Sequence, residues 1–109
     1  MEEKVANDAM QLILHAGNAK SMMMEAMYEV IDNRNYKKAQ DRIKEAGKEL
    51  GKAHEIQTAL LFDEMQGKQE NSGAMSILMV HAQDHYMNAV MLKDFAELMI
   101  LEMIKNDAR

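Results

Sequence analysis

The sequence predicts an all-α protein, an antiparallel up-down-up bundle of three helices. Three features predict it: the absence of proline, an abundance of methionine, and apolar or small residues spaced at heptad intervals through the first two segments. The 109 residues include no proline, 13 methionines and only 5 glycines. Proline interrupts helices and methionine is a good helix former, so this composition favours long, unbroken helices. The length is close to the commonest size of a single domain, and residues 1–109 read as one three-helix unit.

In the first segment Val5, Leu12, Ala19 and Ala26 form one heptad row, and Ala9, Ala16, Met23 and Val30 form its companion. Two such rows make one helix face. Asp32-Asn33-Arg34-Asn35 then breaks the pattern with residues that prefer turns and caps, and reads as a short connection. The spacing resumes with Tyr36, Ile43, Leu50 and Gln57 beside Ala39, Ala46, Ala53 and Leu60. Small residues at a contact let two helices come close, and Gly47 and Gly51 extend that possibility to an adjacent face. Gly67 is the expected C-terminal cap of the second helix, followed by a polar loop, Lys68-Gln69-Glu70-Asn71-Ser72-Gly73.

From Ala74 onward apolar side chains appear on nearly every side of the predicted third helix, in Ile77 to Val80, Ala89 to Leu92 and Leu98 to Leu101. Helices of about 30 residues are about 45 Å long, and in a three-helix subunit the third has only two neighbours. A helix apolar almost all round needs more cover than that. Self-association is therefore expected, with three-fold packing one closed solution.

Composition also excludes several classes of function. There is no cysteine, hence no disulfide, thiolate metal site or cysteine nucleophile. Lys93, Asp94, Glu97 and Glu102 interrupt the longest apolar stretches, and no secretory leader pattern opens the chain, so an intracellular protein without membrane insertion is expected. The net charge of -5 comes from interspersed acids and bases, which is no footing for nucleic acid. Glycines are too scattered for a phosphate loop, and neither a serine-nucleophile motif nor a glycosidase-like carboxylate pair is present. A conventional hydrolase or kinase is disfavoured.

The chemistry concentrates in the third helix. His81, Asp84, His85 and Asn88 stand at i, i+3, i+4 and i+7, close to one stripe of an otherwise apolar segment. Asp84 shares a heptad row with Ile77, Met91 and Leu98, where an isolated carboxylate costs several kcal/mol unless it is compensated. One compensation is a divalent cation shared by equivalent carboxylates on a symmetry axis, for which hard oxygen ligands suit magnesium or calcium. Another is a transition metal held within one chain by His81, Asp84 and His85. The third is water or a lysine at the edge of the stripe. Either histidine can instead serve as a nucleophile, because a hydrogen bond to one ring nitrogen leaves a lone pair directed from the other. His15 and His54 face no comparable cluster in their own segments and read as structural. Spacing alone leaves these alternatives open.

The stretch Val80-His81-Ala82-Gln83-Asp84-His85-Tyr86-Met87, with Ala16-Gly17-Asn18-Ala19-Lys20-Ser21 and Ala53-His54-Glu55-Ile56-Gln57-Thr58 before it, resembles the lactose/cellobiose class of enzyme IIA. These are components of the bacterial phosphoenolpyruvate-dependent sugar phosphotransferase system. The resemblance spans nearly the whole chain, with three helices in the same order. It implies a cytoplasmic homotrimer with the phosphorylated histidine in grooves between subunits. His81 is then the phosphoryl acceptor, His85 and Gln83 are assisting groups, and Asp84 gathers around a metal ion, magnesium by preference, on the trimer axis. The implied partners are the histidine phosphocarrier protein as donor and a cysteine of the cognate enzyme IIB as acceptor, beside the membrane enzyme IIC, in the uptake of β-linked disaccharides. The competing readings are a non-catalytic trimeric module stabilised by metal at Asp84, and an unspecialised metal-binding bundle.

Overall fold

The computed structural model describes residues 3–67 and 77–108. They form three helices, α1 (Glu3–Asn33), α2 (Tyr36–Met65) and α3 (Ile77–Ala108), in a rod of 57 × 19 × 19 Å. The polar run from Lys68 to Gly73 and the expected onset of the third helix at Ala74 lie outside the described residues.

The α1–α2 connection is shorter than the sequence suggests, because Asp32 and Asn33 stay helical. Only Arg34 and Asn35 turn the chain. Arg34 takes the left-handed conformation (φ 52°), its N–H reaching the Val30 carbonyl and that of Asn35 reaching Glu29, both at 3.0 Å. This closure satisfies carbonyls that the end of a helix otherwise leaves unpaired. The Asn35 side chain accepts from the Lys38 N–H at 3.1 Å and caps α2. At the other end of α2 the chain leaves through Gly67 at φ +68°, a conformation open to glycine because it has no Cβ.

The two heptad rows of α1 are buried except at Val5, which is half-buried. In α2 the buried positions are Ala39, Ile43, Ala46, Leu50, Ala53 and Leu60, with Tyr36 and Gln57 half-buried in the same rows. The many alanines bring α1 and α2 into close contact, and Leu12, Met23 and Val30 fill the space between them. α1 is the common partner in the bundle, while α2 and α3 touch one another least. Gly47 admits α3, since a Cβ there would stand 3.3 Å from the Lys93 side chain; Gly51 faces open space and plays no such part.

α3 buries Ala82, Tyr86, Ala89, Ala96 and Ile100 toward the other two helices. Its C-terminal end is tied down at Asp107, which accepts from the Tyr36 hydroxyl and lies 3.6 Å from the Arg34 guanidinium. The hydrogen bond to that carboxylate holds the Tyr36 phenol above its usual pKa, so it remains a donor. Larger side chains at the α1–α2 contact have no room. Ala19→Leu is expected to destabilise the fold by about 1–3 kcal/mol through overpacking, measured by urea denaturation.

Candidate functional site

α3 carries its polar groups on two different flanks. Taking Asp84 as the reference on the helix, His81 stands roughly 60° to one side, Asn88 roughly 40° and His85 roughly 100° to that same side, while Gln83 stands roughly 100° to the other. His81 and His85 are consequently neighbours. Their Nε2 atoms are 3.1 Å apart and the rings meet edge to face at 4.5 Å between centroids. Two imidazole nitrogens at that distance share one proton, so one ring presents an N–H and the other a lone pair. His81 is exposed and His85 half-buried, which leaves the first ring open to a reactant and holds the second behind it.

Asp84 is exposed and makes no hydrogen bond or ion pair among the described residues. Its row companions Ile77, Met91 and Leu98 are 90%, 73% and 55% exposed, so the row faces away from the subunit's own core. Val80, Met87, Phe95 and Leu101 widen this outer face. A stripe of that length is unusual on a monomer surface. No group of three or more His, Asp or Glu side chains among the described residues converges on a metal-sized position. The single-chain metal site that the spacing permits is thus not formed, its two histidines being engaged with each other.

Gln83 faces α2. Its Oε1 accepts from Gln57 Nε2 at 2.8 Å, while its own Nε2 meets Met79 Sδ at 3.9 Å. One turn along the same seam, His54 Nδ1 and the Tyr86 hydroxyl are 3.1 Å apart. Burial raises the Tyr86 pKa, which keeps the phenol protonated and able to donate. His54 and Gln57 are three apart on α2, as are Gln83 and Tyr86 on α3, and they pair in antiparallel order. Those matching spacings are the signal in the sequence for this contact.

His15 also has a partner that its own segment does not reveal. Its Nδ1 lies 2.6 Å from Glu49 on α2, and the Asn18 amide donates to the same carboxylate at 3.4 Å. Burial pushes the Glu49 pKa up, but the His15 hydrogen bond, the Lys52 and His15 charges and the Asn18 amide outweigh it, so the group lies below the usual glutamate value.

The arrangement of three helices has known counterparts. The family model described as PTS system, Lactose/Cellobiose specific IIA subunit, matches residues 7–105. The chain belongs to this family. It is 41% identical over 96 residues to the lichenan-specific phosphotransferase enzyme IIA component of Bacillus subtilis, covering 88% of this chain and 84% of that one. It is 36% identical over 90 residues to the lactose-specific EIIA component of Staphylococcus epidermidis, covering 83% of each. The crystal structure of the cellobiose-specific enzyme IIA from Bacillus anthracis superposes with a TM-score of 0.88 at 33% identity, over 100% of this chain and 96% of that one. The protein is therefore a phosphotransferase component of a sugar-transport system, of the class that works through a phosphohistidine. No helix among the described residues is long and apolar enough to cross a membrane.

The Glu49 cluster predicts a pH dependence of stability. A carboxyl with a lowered folded pKa gives stability that is complete above its unfolded value, near 4.5, and is lost as pH falls through the folded value. Glu49→Gln is accordingly expected to destabilise the protein more at pH 7 than at pH 3, in chemical denaturation at the two pH values.

Proposed function

We propose that His81 accepts a phosphoryl group from the histidine phosphocarrier protein and passes it to a cysteine thiolate of the cognate enzyme IIB, serving uptake of a β-linked disaccharide. The observation that carries this reading is the exposed His81 ring with its Nε2 3.1 Å from His85 Nε2. When His85 donates its Nε2–H, His81 is the tautomer protonated on Nδ1 and its Nε2 holds the lone pair. As the His85 N–H swings off it toward the incoming phosphoryl oxygens, that nitrogen attacks the phosphorus of the donor phosphohistidine. A new N–P bond forms as the donor's N–P bond breaks, and the donor imidazole departs with the electron pair. In the second transfer the thiolate forms an S–P bond and His81 recovers its lone pair.

Phosphoryl transfer asks the protein mainly for alignment and for donors to the equatorial oxygens. Once the phosphoryl group sits on His81, the His85 Nε2–H is beside it to fill that role. Gln83 points to the opposite flank of its own helix and serves the His81 of another copy. The sugar itself stays with the membrane enzyme IIC, and this component works in the bacterial cytoplasm between its two protein partners.

The exposed α3 stripe supports assembly into a homotrimer with α3 of each copy toward the axis. Asp84 fits a shared divalent cation there: it is an anionic oxygen donor, set in an apolar row, with no hydrogen bond or ion pair among the described residues to offset its charge. Three Asp84 carboxylates would hold the ion, with magnesium the best match to an all-oxygen set. Its contribution is to neutralise like charges at the assembly axis.

Two experiments test this reading. With the phosphorelay partners and phosphoenolpyruvate, the protein is expected to gain one acid-labile phosphate, which His81→Ala abolishes and His85→Ala slows roughly hundredfold. Phosphate uptake unchanged by His81→Ala sinks the proposal, and no uptake by the unsubstituted chain favours a non-catalytic trimeric module. A chelator is expected to lower the Tm of the assembled protein but not that of Asp84→Leu, in which an apolar side chain avoids the desolvation cost. Loss of assembly in Asp84→Leu, seen by light scattering, counts against the axial placement.

A further inference from the structure

We propose that Gln57 is a positioning residue for phosphoryl transfer, holding the Gln83 amide so that its NH2 is presented to the His81 of a neighbouring copy. The inference rests on the reading of His81 as phosphoryl acceptor and of α3 as the self-association face.

The first step is the orientation of the amide. Gln57 Nε2 donates to Gln83 Oε1 at 2.8 Å, which commits the Gln83 oxygen to the α2–α3 seam. Its nitrogen is left with Met79 Sδ at 3.9 Å. A thioether is a weak acceptor, so these N–H groups are held in direction without being consumed. Rotating the Gln83 amide alone would set its oxygen against the sulfur and its NH2 against the Gln57 NH2, while turning both amides together keeps their hydrogen bond but still sets the Gln83 oxygen against the sulfur, so the observed orientation is the one that satisfies both contacts. The His54–Tyr86 contact one turn away, at 3.1 Å, keeps α2 and α3 in the register that makes the Gln57–Gln83 pair possible.

The second step is the placement of the two flanks. His81 and Gln83 are only about 3 Å apart along the axis of α3 but roughly 160° apart around it. An amide there cannot reach a phosphoryl group on its own chain's histidine. Between them runs the exposed row Ile77, Asp84, Met91 and Leu98. When copies pack cyclically with that row toward the axis, the contact is heterologous and each copy sets one flank against the opposite flank of the next. The His81 flank of one copy then faces the Val80, Gln83 and Met87 flank of its neighbour, at nearly the same height. Gln57 belongs to that neighbouring flank and acts through Gln83 alone.

The test uses the full chain with its phosphocarrier and enzyme IIB partners. Gln57→Leu removes the donor while keeping the apolar stem. Gln57→Glu reverses the polarity, because the introduced carboxylate accepts from the Gln83 NH2 and draws it inward. Both are expected to slow transfer from phosphorylated protein to enzyme IIB by roughly tenfold to hundredfold, the Glu change more severely, and to move the 31P resonance of the phosphohistidine. In a Gln83→Ala background neither is expected to have further effect. Mixing Gln57→Leu chains with an excess of His81→Ala chains is expected to restore transfer, since most remaining His81 residues then meet an intact Gln57–Gln83 pair on their neighbour. Unchanged rates and resonance in both variants, additive losses in the Gln83→Ala background, or absence of rescue in mixed assemblies would overturn the proposal. A failure of the underlying reading is distinct, because the unsubstituted chain would then carry no phosphate on His81.

Discussion

A helix packed against two others covers only part of its circumference, and α3 carries apolar side chains around more than that part. This mismatch governs the molecule. The small residues of α1 and α2 draw those helices together, and Ala82, Ala89 and Ala96 let α3 settle against them, so the bulky side chains of α3 are turned outward. Ile77, Met87, Met91, Phe95 and Leu98 therefore form a face directed away from the subunit's own core, with Asp84 set among them. The apolar excess and the isolated acid are the two features on which the proposed self-association rests. Burying each apolar side chain stabilises an assembly by about 1.5–3 kcal/mol before entropy is counted, enough for a handful of them to matter.

The polar groups of α3 lie on two flanks of that face. On one flank His81 is exposed and half-buried His85 stands 3.1 Å away, the two rings engaged with each other. On the other, the Gln83 oxygen and the Tyr86 hydroxyl hold α3 to α2, where the two helices touch least. Polar pairs suit that position, since half-buried amides and hydroxyls left unpaired are costly and paired ones fix register as well as distance. The His15–Glu49 pair does comparable work between α1 and α2. Of the four histidines, then, two are joined to each other and two are structural partners of residues on neighbouring helices.

Reading the sequence by itself was sufficient for the helices, the heptad rows of α1 and α2, the glycine exit after α2 and the grouping of His81 with His85. These are local properties, set by backbone preference and by a repeat of about 3.6 residues per turn, and they survive whatever the helices pack against. The same locality resolved the family, because its motif is continuous in the chain. What it did not resolve was the inward side of α3, where apolar residues lie all round and periodicity has no contrast to report.

That choice belongs to tertiary packing. Alanines admit a close neighbour and larger side chains do not, so the rows around Ala82, Ala89 and Ala96 go inward and the row of Ile77, Met91 and Leu98 goes out. The connection shrank to Arg34 and Asn35 for a similar reason, since backbone hydrogen bonds to Val30 and Glu29 close the helix end later than the side chains suggest. Pairings across helices were equally beyond the sequence: Glu49 for His15, Tyr86 for His54 and Gln57 for Gln83 are set by how two helices meet. The sequence by itself determined that His81, Gln83, Asp84 and His85 share one helix. Only the tertiary structure decided which flank each one occupies, because direction around a helix has no meaning until its neighbours are in place.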